Sequence, residues 1–169
     1  MHDAQEGFVR PPDALWQRYP DEPEGGEVIC HDDLFWPNIV FDGSLPTALI
    51  DWDLATPGSR LEDVGSAVSY RAPLHMDDQA YEWGLSTDRR CKRLRLPGDA
   101  YGLGAGQRAA LLDDFVERRR LSYEAHRVWG GAERRPGRAE MWDGGSGQRI
   151  LGNIAWVEDH RKELDTWLG

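Results

Sequence analysis

"ICHDDLFWPNIVFDGSLPTALIDWD", residues Ile29 to Asp53, decides how this chain is read. Acidic residues close each of its short apolar runs: Asp32 and Asp33, then Asp42, then Asp51 and Asp53. The runs Glu27–His31, Asn38–Asp42 and Pro46–Asp51 are rich in Val, Ile, Leu or Phe, which predicts strands. "DGSLP" between the second and third predicts a hairpin loop. From Arg60 onward the apolar spacing becomes helical, so strands come first and helices follow. That order gives an α+β fold with most residues in helices and a small β-hairpin carrying the acidic cluster.

The helical half carries its own punctuation. Ser59 with Glu62 three residues later reads as a capping box opening "SRLEDVGSAVSYRA". Gln107–Trp129 carries Leu111, Leu112, Phe115 and Val116, and Gly130–Gly131 is expected to end it. Arg149–Leu168 sets Ile150, Ile154, Val157, Leu164 and Leu168 on one helical stripe. Pro97–Gly98 is expected to break or kink the helix over Ser86–Tyr101. "RRCKRLR" (Arg89–Arg95) reads as a solvated helix face, and "GGAERRPGRAEMWDGGSG" as a flexible segment. Residues 1–26, rich in Pro, Asp, Glu and Gly, predict an extended N-terminal connection. Residues 27–169 then form the folded lobe, with the loops of the site in 27–53 and a helical subdomain in 59–169.

Composition narrows the function classes. The 169 residues carry a formal net charge of −10, which argues against nucleic acid as the main partner and suits a site that gathers carboxylates around a cation. No apolar run approaches the roughly 18 residues of a membrane span. The two cysteines, Cys30 and Cys91, form no spaced framework, and "MHDAQEGFVRPPD" is not a signal peptide; a cytoplasmic protein is expected.

Two spacings within the acidic cluster carry chemistry. Asp33 and Asn38 stand five residues apart behind His31, and Asp51 follows thirteen residues later, at the end of the hairpin's second strand. A hairpin can bring Asn38 beside Asp51, and an Asn carbonyl with a carboxylate offers Mg²⁺ the hard oxygens it accepts. Asp33 is then free to face an incoming hydroxyl and take its proton. Phosphoryl transfer needs that division, with a metal neutralising the phosphates and a separate carboxylate orienting the nucleophile.

"HDDLFWPN" followed by "LIDWD" resembles the Brenner-type motif and metal-binding Asp of the aminoglycoside phosphotransferase and choline kinase-like family, whose fold is similar to that of protein kinases. The resemblance implies a protein-kinase-like C-terminal lobe in which Asp33 is catalytic and Asn38 and Asp51 bind the metal. It implies Mg²⁺ and ATP as the phosphoryl donor, and the hydroxyl of a small molecule as acceptor. "RLEDVGSA" resembles the family's Asp-Leu-Ala helix, which makes Asp63 a structural brace of the catalytic loop alongside His31. Asp32 stands where the family usually has Gly. A nucleotide-covering N-lobe has no counterpart in these residues, so the resemblance implies a truncated, C-terminal catalytic lobe, inactive when isolated. Such a lobe is expected to self-associate or to require a partner through Phe8, Leu15, Trp16, Phe35 and Trp36.

Each signal has a plainer reading. Asp33, Asn38 and Asp51 taken singly are turn or cap residues at strand ends; together they favour the kinase-like site. Asp53 is divided between a further metal ligand and an N-cap, and Trp36 and Trp52 are candidates for the wall of a substrate pocket. "GLGAG" at Gly102–Gly106 reads as helix end and linker rather than a nucleotide loop. Trp129, Trp156 and Trp167 read as core. The rival functions are a catalytically silent scaffold or binding protein and, behind it, a metal-dependent phosphohydrolase using His31–Asp32.

Overall fold

The computed structural model describes residues 1–22, 25–71, 74 and 87–169. His75 and "YEWG" (81–84) lie outside them. Among the described residues the chain is mostly helical, with two small antiparallel sheets of two strands each. Strand β1 (Val28–Cys30) pairs with β4 (Thr56–Gly58), and β2 (Ile39–Asp42) pairs with β3 (Leu45–Leu49). The β2–β3 hairpin turns at Gly43, whose φ of +59° lies in the left-handed region open to glycine. A register shift at Val40/Phe41 accommodates Pro46, which has no N–H to give the ladder. Sequence patterning missed β4, because "TPG" has turn chemistry; its pairing is imposed by β1.

Helix α1 (Arg60–Arg71) opens with the expected capping box: Ser59 N–H donates to Glu62 Oε2 at 3.1 Å, and Glu62 N–H to Ser59 Oγ at 3.2 Å. Helix α2 (Thr87–Tyr101) runs through Pro97 rather than breaking there. It closes at Gly102 (φ +80°), with Leu103 N–H bonded to the Gly98 carbonyl at 2.9 Å. Its basic run is not wholly solvated: Arg90 is buried, with its guanidinium 4.1 Å from the Trp156 ring centre. Helix α3 (Ala105–Ala125) does not stop at the glycine pair either. It widens into a π-helical segment, His126–Ala132, that includes both glycines. A Cβ on Gly130 would fall against the Arg138 carbonyl, and one on Gly131 would sit 3.1 Å from the Trp142 ring. The glycines therefore serve close packing with α4 (Arg138–Asp143), a helix within the segment expected to be flexible. Both guanidinium nitrogens of Arg134 reach the Asp143 carboxylate, at 2.8 and 2.7 Å, across its ends.

The last stripe forms two helices, α5 (Ser146–Asp159) and α6 (Arg161–Leu168), divided at His160. Ile150, Ile154 and Val157 face inward and meet Leu111, Leu112 and Phe115 of α3, with Val64 and Val68 of α1, in one apolar core. Side chains of this size contribute roughly 1.5–3 kcal/mol each when fully buried. Trp129 and Trp156 are buried, and Trp167 packs at the core's edge. At the other end, residues 2–5 form a short 3₁₀ turn instead of an extended connection. Gln5 fixes that turn to β1, its amide accepting from Ile29 N–H at 2.7 Å and donating to the Ile29 carbonyl at 2.8 Å.

Candidate active site

The loop after β1 carries His31, Asp32 and Asp33, and its backbone is held from beneath by Asp63 of α1. Asp63 is 1% exposed; its Oδ1 accepts from the N–H groups of His31 (3.0 Å) and Asp32 (3.2 Å). Its Oδ2 meets His2 Nε2 at 2.8 Å. His2 Nδ1 lies 2.6 Å from the Tyr101 hydroxyl, which in turn accepts from Arg60 at 3.1 Å. One proton arrangement satisfies every member: Arg60 donates to Tyr101, Tyr101 to His2 Nδ1, and His2 Nε2–H to Asp63. His31 turns the other way. Its Nε2 lies 2.9 Å from the Ile50 carbonyl, which only accepts, so Nε2 carries the proton and Nδ1 faces the Asp33 N–H at 3.4 Å. The ring packs against Trp52, centroids 4.5 Å apart. His31 thereby ties the Asp33 loop to the residue before Asp51.

Asp33 is gripped at both oxygens. The Tyr70 hydroxyl donates to Oδ1 at 2.8 Å, and Asn38 Nδ2 donates to Oδ2 at 2.9 Å and to the Asp33 carbonyl at 3.0 Å. The Tyr70 phenol is pushed up in pKa by burial and by the Asp33 charge, so it stays a donor. Asn38 spends its N–H groups on Asp33, which leaves Oδ1 for another partner. Its backbone carbonyl accepts from Ile50 N–H at 3.0 Å, just past the end of β3, so Asp51 is the residue after Asn38's backbone partner. Asp51 is exposed and holds φ +62°. Asp53 is also exposed, and Trp52 and Asp53 border a shallow depression with Leu15 and Trp16. Trp36 stacks on Phe41 at 6.2 Å along the hairpin, and neither Trp36 nor Trp52 lines the larger cavity described below.

Asp32, at the position of the family's Gly, has φ +62°, a conformation that Gly takes without strain and Asp tolerates. Its carboxyl points inward, where Arg118 of α3 donates to Oδ1 at 2.5 Å. Burial outweighs that guanidinium, and with help from Asp63, Glu22 and Glu62 pushes the Asp32 pKa up to about 7. An acid whose folded pKa exceeds its unfolded value binds a proton more readily when folded. Its contribution is therefore full below about pH 4 and is lost as pH rises toward 7. Asp32→Asn mimics the neutral form, so its melting temperature should gain on the wild type between pH 5 and pH 8. Parallel pH profiles, or a gain for the wild type, would show that the Arg118 pair dominates instead.

Cys30, Asp32 and Asp63 come together beneath the loop, but this group does not suit a cation. The Cys30 thiol donates to the Ser59 carbonyl at 3.2 Å, its pKa is raised by burial, and Asp63 is already saturated. Beside Asp33 opens a cavity of about 560 Å³ between the loop and helices α1, α3, α4 and α5. Sequence reading proposed Asp33, Asn38, Asp51, His31 and Asp63 as candidates and did not single out Tyr70 or His2, whose partners lie 37 and 61 residues away.

Asp33 is thus held by a phenol and an amide, while Asn38, just before β2, and Asp51, two residues after β3, flank the open end of the hairpin. The chain belongs to the phosphotransferase enzyme family, whose model matches residues 2–94. It is also similar to the trifolitoxin immunity protein of Rhizobium leguminosarum bv. trifolii, at 35% identity over 119 residues. That match covers 69% of this chain and 46% of the relative, so the chain spans about half the relative's length. No solved structure matches it. Among the described residues no helix is long and apolar enough to cross a membrane.

Proposed function

We propose that this chain supplies the catalytic lobe of an ATP- and Mg²⁺-dependent phosphotransferase acting on a hydroxyl of a small molecule. The observation that carries this reading is the double grip on Asp33. Tyr70 and Asn38 fix both carboxylate oxygens and leave each a lone pair for a substrate hydroxyl, so Asp33 takes the proton without having to be reoriented. Asn38 Oδ1 and the exposed Asp51 carboxylate fit a Mg²⁺ ion as hard oxygen donors, with Asp53 as an outer candidate. When bound, that ion supplies neutralisation of the phosphate charge. His31 and Asp63 hold the loop and do not touch substrate. Phe8, Leu15, Phe35 and Trp36 are exposed. In this reading they are where a nucleotide-covering lobe or a second copy of the chain rests.

A second reading is favoured by the relative's name: an immunity role is met by sequestration as well as by chemical modification. Calorimetric titration of the purified chain with ATP separates the two. Binding that strengthens at least tenfold on adding Mg²⁺, and reverts with EDTA, supports the phosphotransferase. Absent or Mg²⁺-indifferent binding leaves the silent binding protein.

A further inference from the structure

The large cavity has a charge that the rest of the chain does not. On a protein of net charge −10, its lining includes Arg118, Arg119, Arg138 and Arg149 against two acids, Asp32 and Asp33. Asp32 is taken by Arg118. The other three guanidiniums make no ion pair among the described residues. Arg119 lies over the Phe115 ring at 5.3 Å and Arg138 over Trp129 at 5.7 Å, while Arg149 reaches only the Gly144 carbonyl. Burial lowers the Arg119 pKa. These three cations surround His126, which opens the π-helical segment and shares a 2.8 Å hydrogen bond with Ser146 Oγ. Burial first, and then Arg138, Arg119 and Arg149, push its pKa down, as expected where positive charges converge without a counterion. Arg119 and Arg138 are half-buried and Arg149 is exposed at the cavity's edge, so like charges gather around one opening with no carboxylate paired to them among the described residues.

We propose that this cavity binds a small hydroxylated anion, its carboxylate or phosphate ester held by Arg119, Arg138 and Arg149 and a hydroxyl directed toward Asp33. Arginine suits both anionic groups, since its planar fork presents paired donors. The volume lies within the usual range for a small-molecule site. If the phosphotransferase reading holds, on which the assignment of this ligand as acceptor rests, the substrate class is a sugar acid, a sugar phosphate or a relative, and not a polycationic amine.

The test titrates the full chain with gluconate, glucose 6-phosphate, glucose and glucosamine, read by calorimetry. Gluconate or glucose 6-phosphate should bind at least tenfold more tightly than glucose or glucosamine, and whichever of the two is preferred identifies the anionic group. That binding should weaken at least tenfold in Arg119→Ala/Arg138→Ala and be unchanged in Arg93→Ala, on the exposed face of α2. Glucosamine or glucose binding as well as the anions would overturn the proposal, a comparison that needs only the wild type. So would anion binding that the double variant retains. The two readings fail separately: Asp33→Asn should still bind the anion, and loss of Mg²⁺-dependent ATP binding would remove the phosphotransferase while leaving the anion site in place.

Discussion

Asp63→Ala is expected to lower the stability of this chain by roughly 3–5 kcal/mol, the range for removing one partner from a buried, hydrogen-bonded charge. Three donors converge on that carboxylate: the N–H groups of His31 and Asp32 and the His2 imidazole. All belong to residues that are themselves buried. Alanine leaves each without an acceptor, at about 1–3 kcal/mol for an unsatisfied buried donor. Against a total of about 5–15 kcal/mol for a native domain, the loss is large. For a chain of this length it corresponds to a fall in melting temperature on the order of 10–15 °C, measurable by circular dichroism. Asp63→Asn should lie between. Its oxygen can still take the two backbone N–H groups, but its amide would then face His2 Nε2 and force the imidazole to exchange its proton. A melting temperature for Asp63→Ala within about 3 °C of the wild type would mean that the loop is held by something else. The same brace explains why the first turn of the chain matters: His2 reaches Asp63 across 61 residues, so changing it should loosen the loop that carries Asp33.

What the sequence made legible was local. The capping box at Ser59 needs four residues, the β2–β3 turn two, and the stripe of α5 a few turns of period 3.6. Each can be recognised without knowing what lies opposite. The Asp33–Asn38–Asp51 set could be proposed from the sequence, because residue types at fixed spacing survive translation into a loop and a hairpin. What was hidden depends on partners distant in the chain. Tyr70 looked like one more residue of a helix, and only the packing of α1 against the loop brings its hydroxyl to Asp33. Arg90 sits in a basic run that composition alone assigns to solvent, yet α2 turns it onto Trp156. Gly130 and Gly131 read as a stop signal because glycine usually ends helices; here they remove Cβ atoms where α4 and the Trp142 ring approach. Pro97 was expected to break a helix that tertiary packing keeps intact, with Leu94 fully buried just before it. The cationic cavity was the least visible feature, since its arginines come from α3, α4 and α5 and no single stretch contains the cluster.

The largest expected effect separates the two aspartates of the proposed site. Asn at position 33 preserves the local hydrogen bonds: its Oδ1 accepts from Asn38 Nδ2, and its amide donates to the Tyr70 hydroxyl, which reverses its role. What disappears is the basic carboxylate. Within a complete kinase, Asp33→Asn should therefore bind Mg²⁺-ATP within about threefold of the wild type, while turnover falls by about 10²–10⁴, the range for losing a positioned general base. Asp51→Ala acts on the other term. Asp51 makes no side-chain hydrogen bond among the described residues and stands exposed just after β3, so its removal should leave melting nearly unchanged. It deletes one of the two oxygen donors proposed for Mg²⁺, and the Mg²⁺-dependent gain in ATP affinity should vanish with it. Titrations with and without Mg²⁺ on both variants decide the matter, because they read the metal term even where turnover is slow. Equal losses of nucleotide affinity would show that Asp33 also holds the metal. Undiminished Mg²⁺ dependence in Asp51→Ala would move the cation to other oxygens, with Asp53 the first to be changed next.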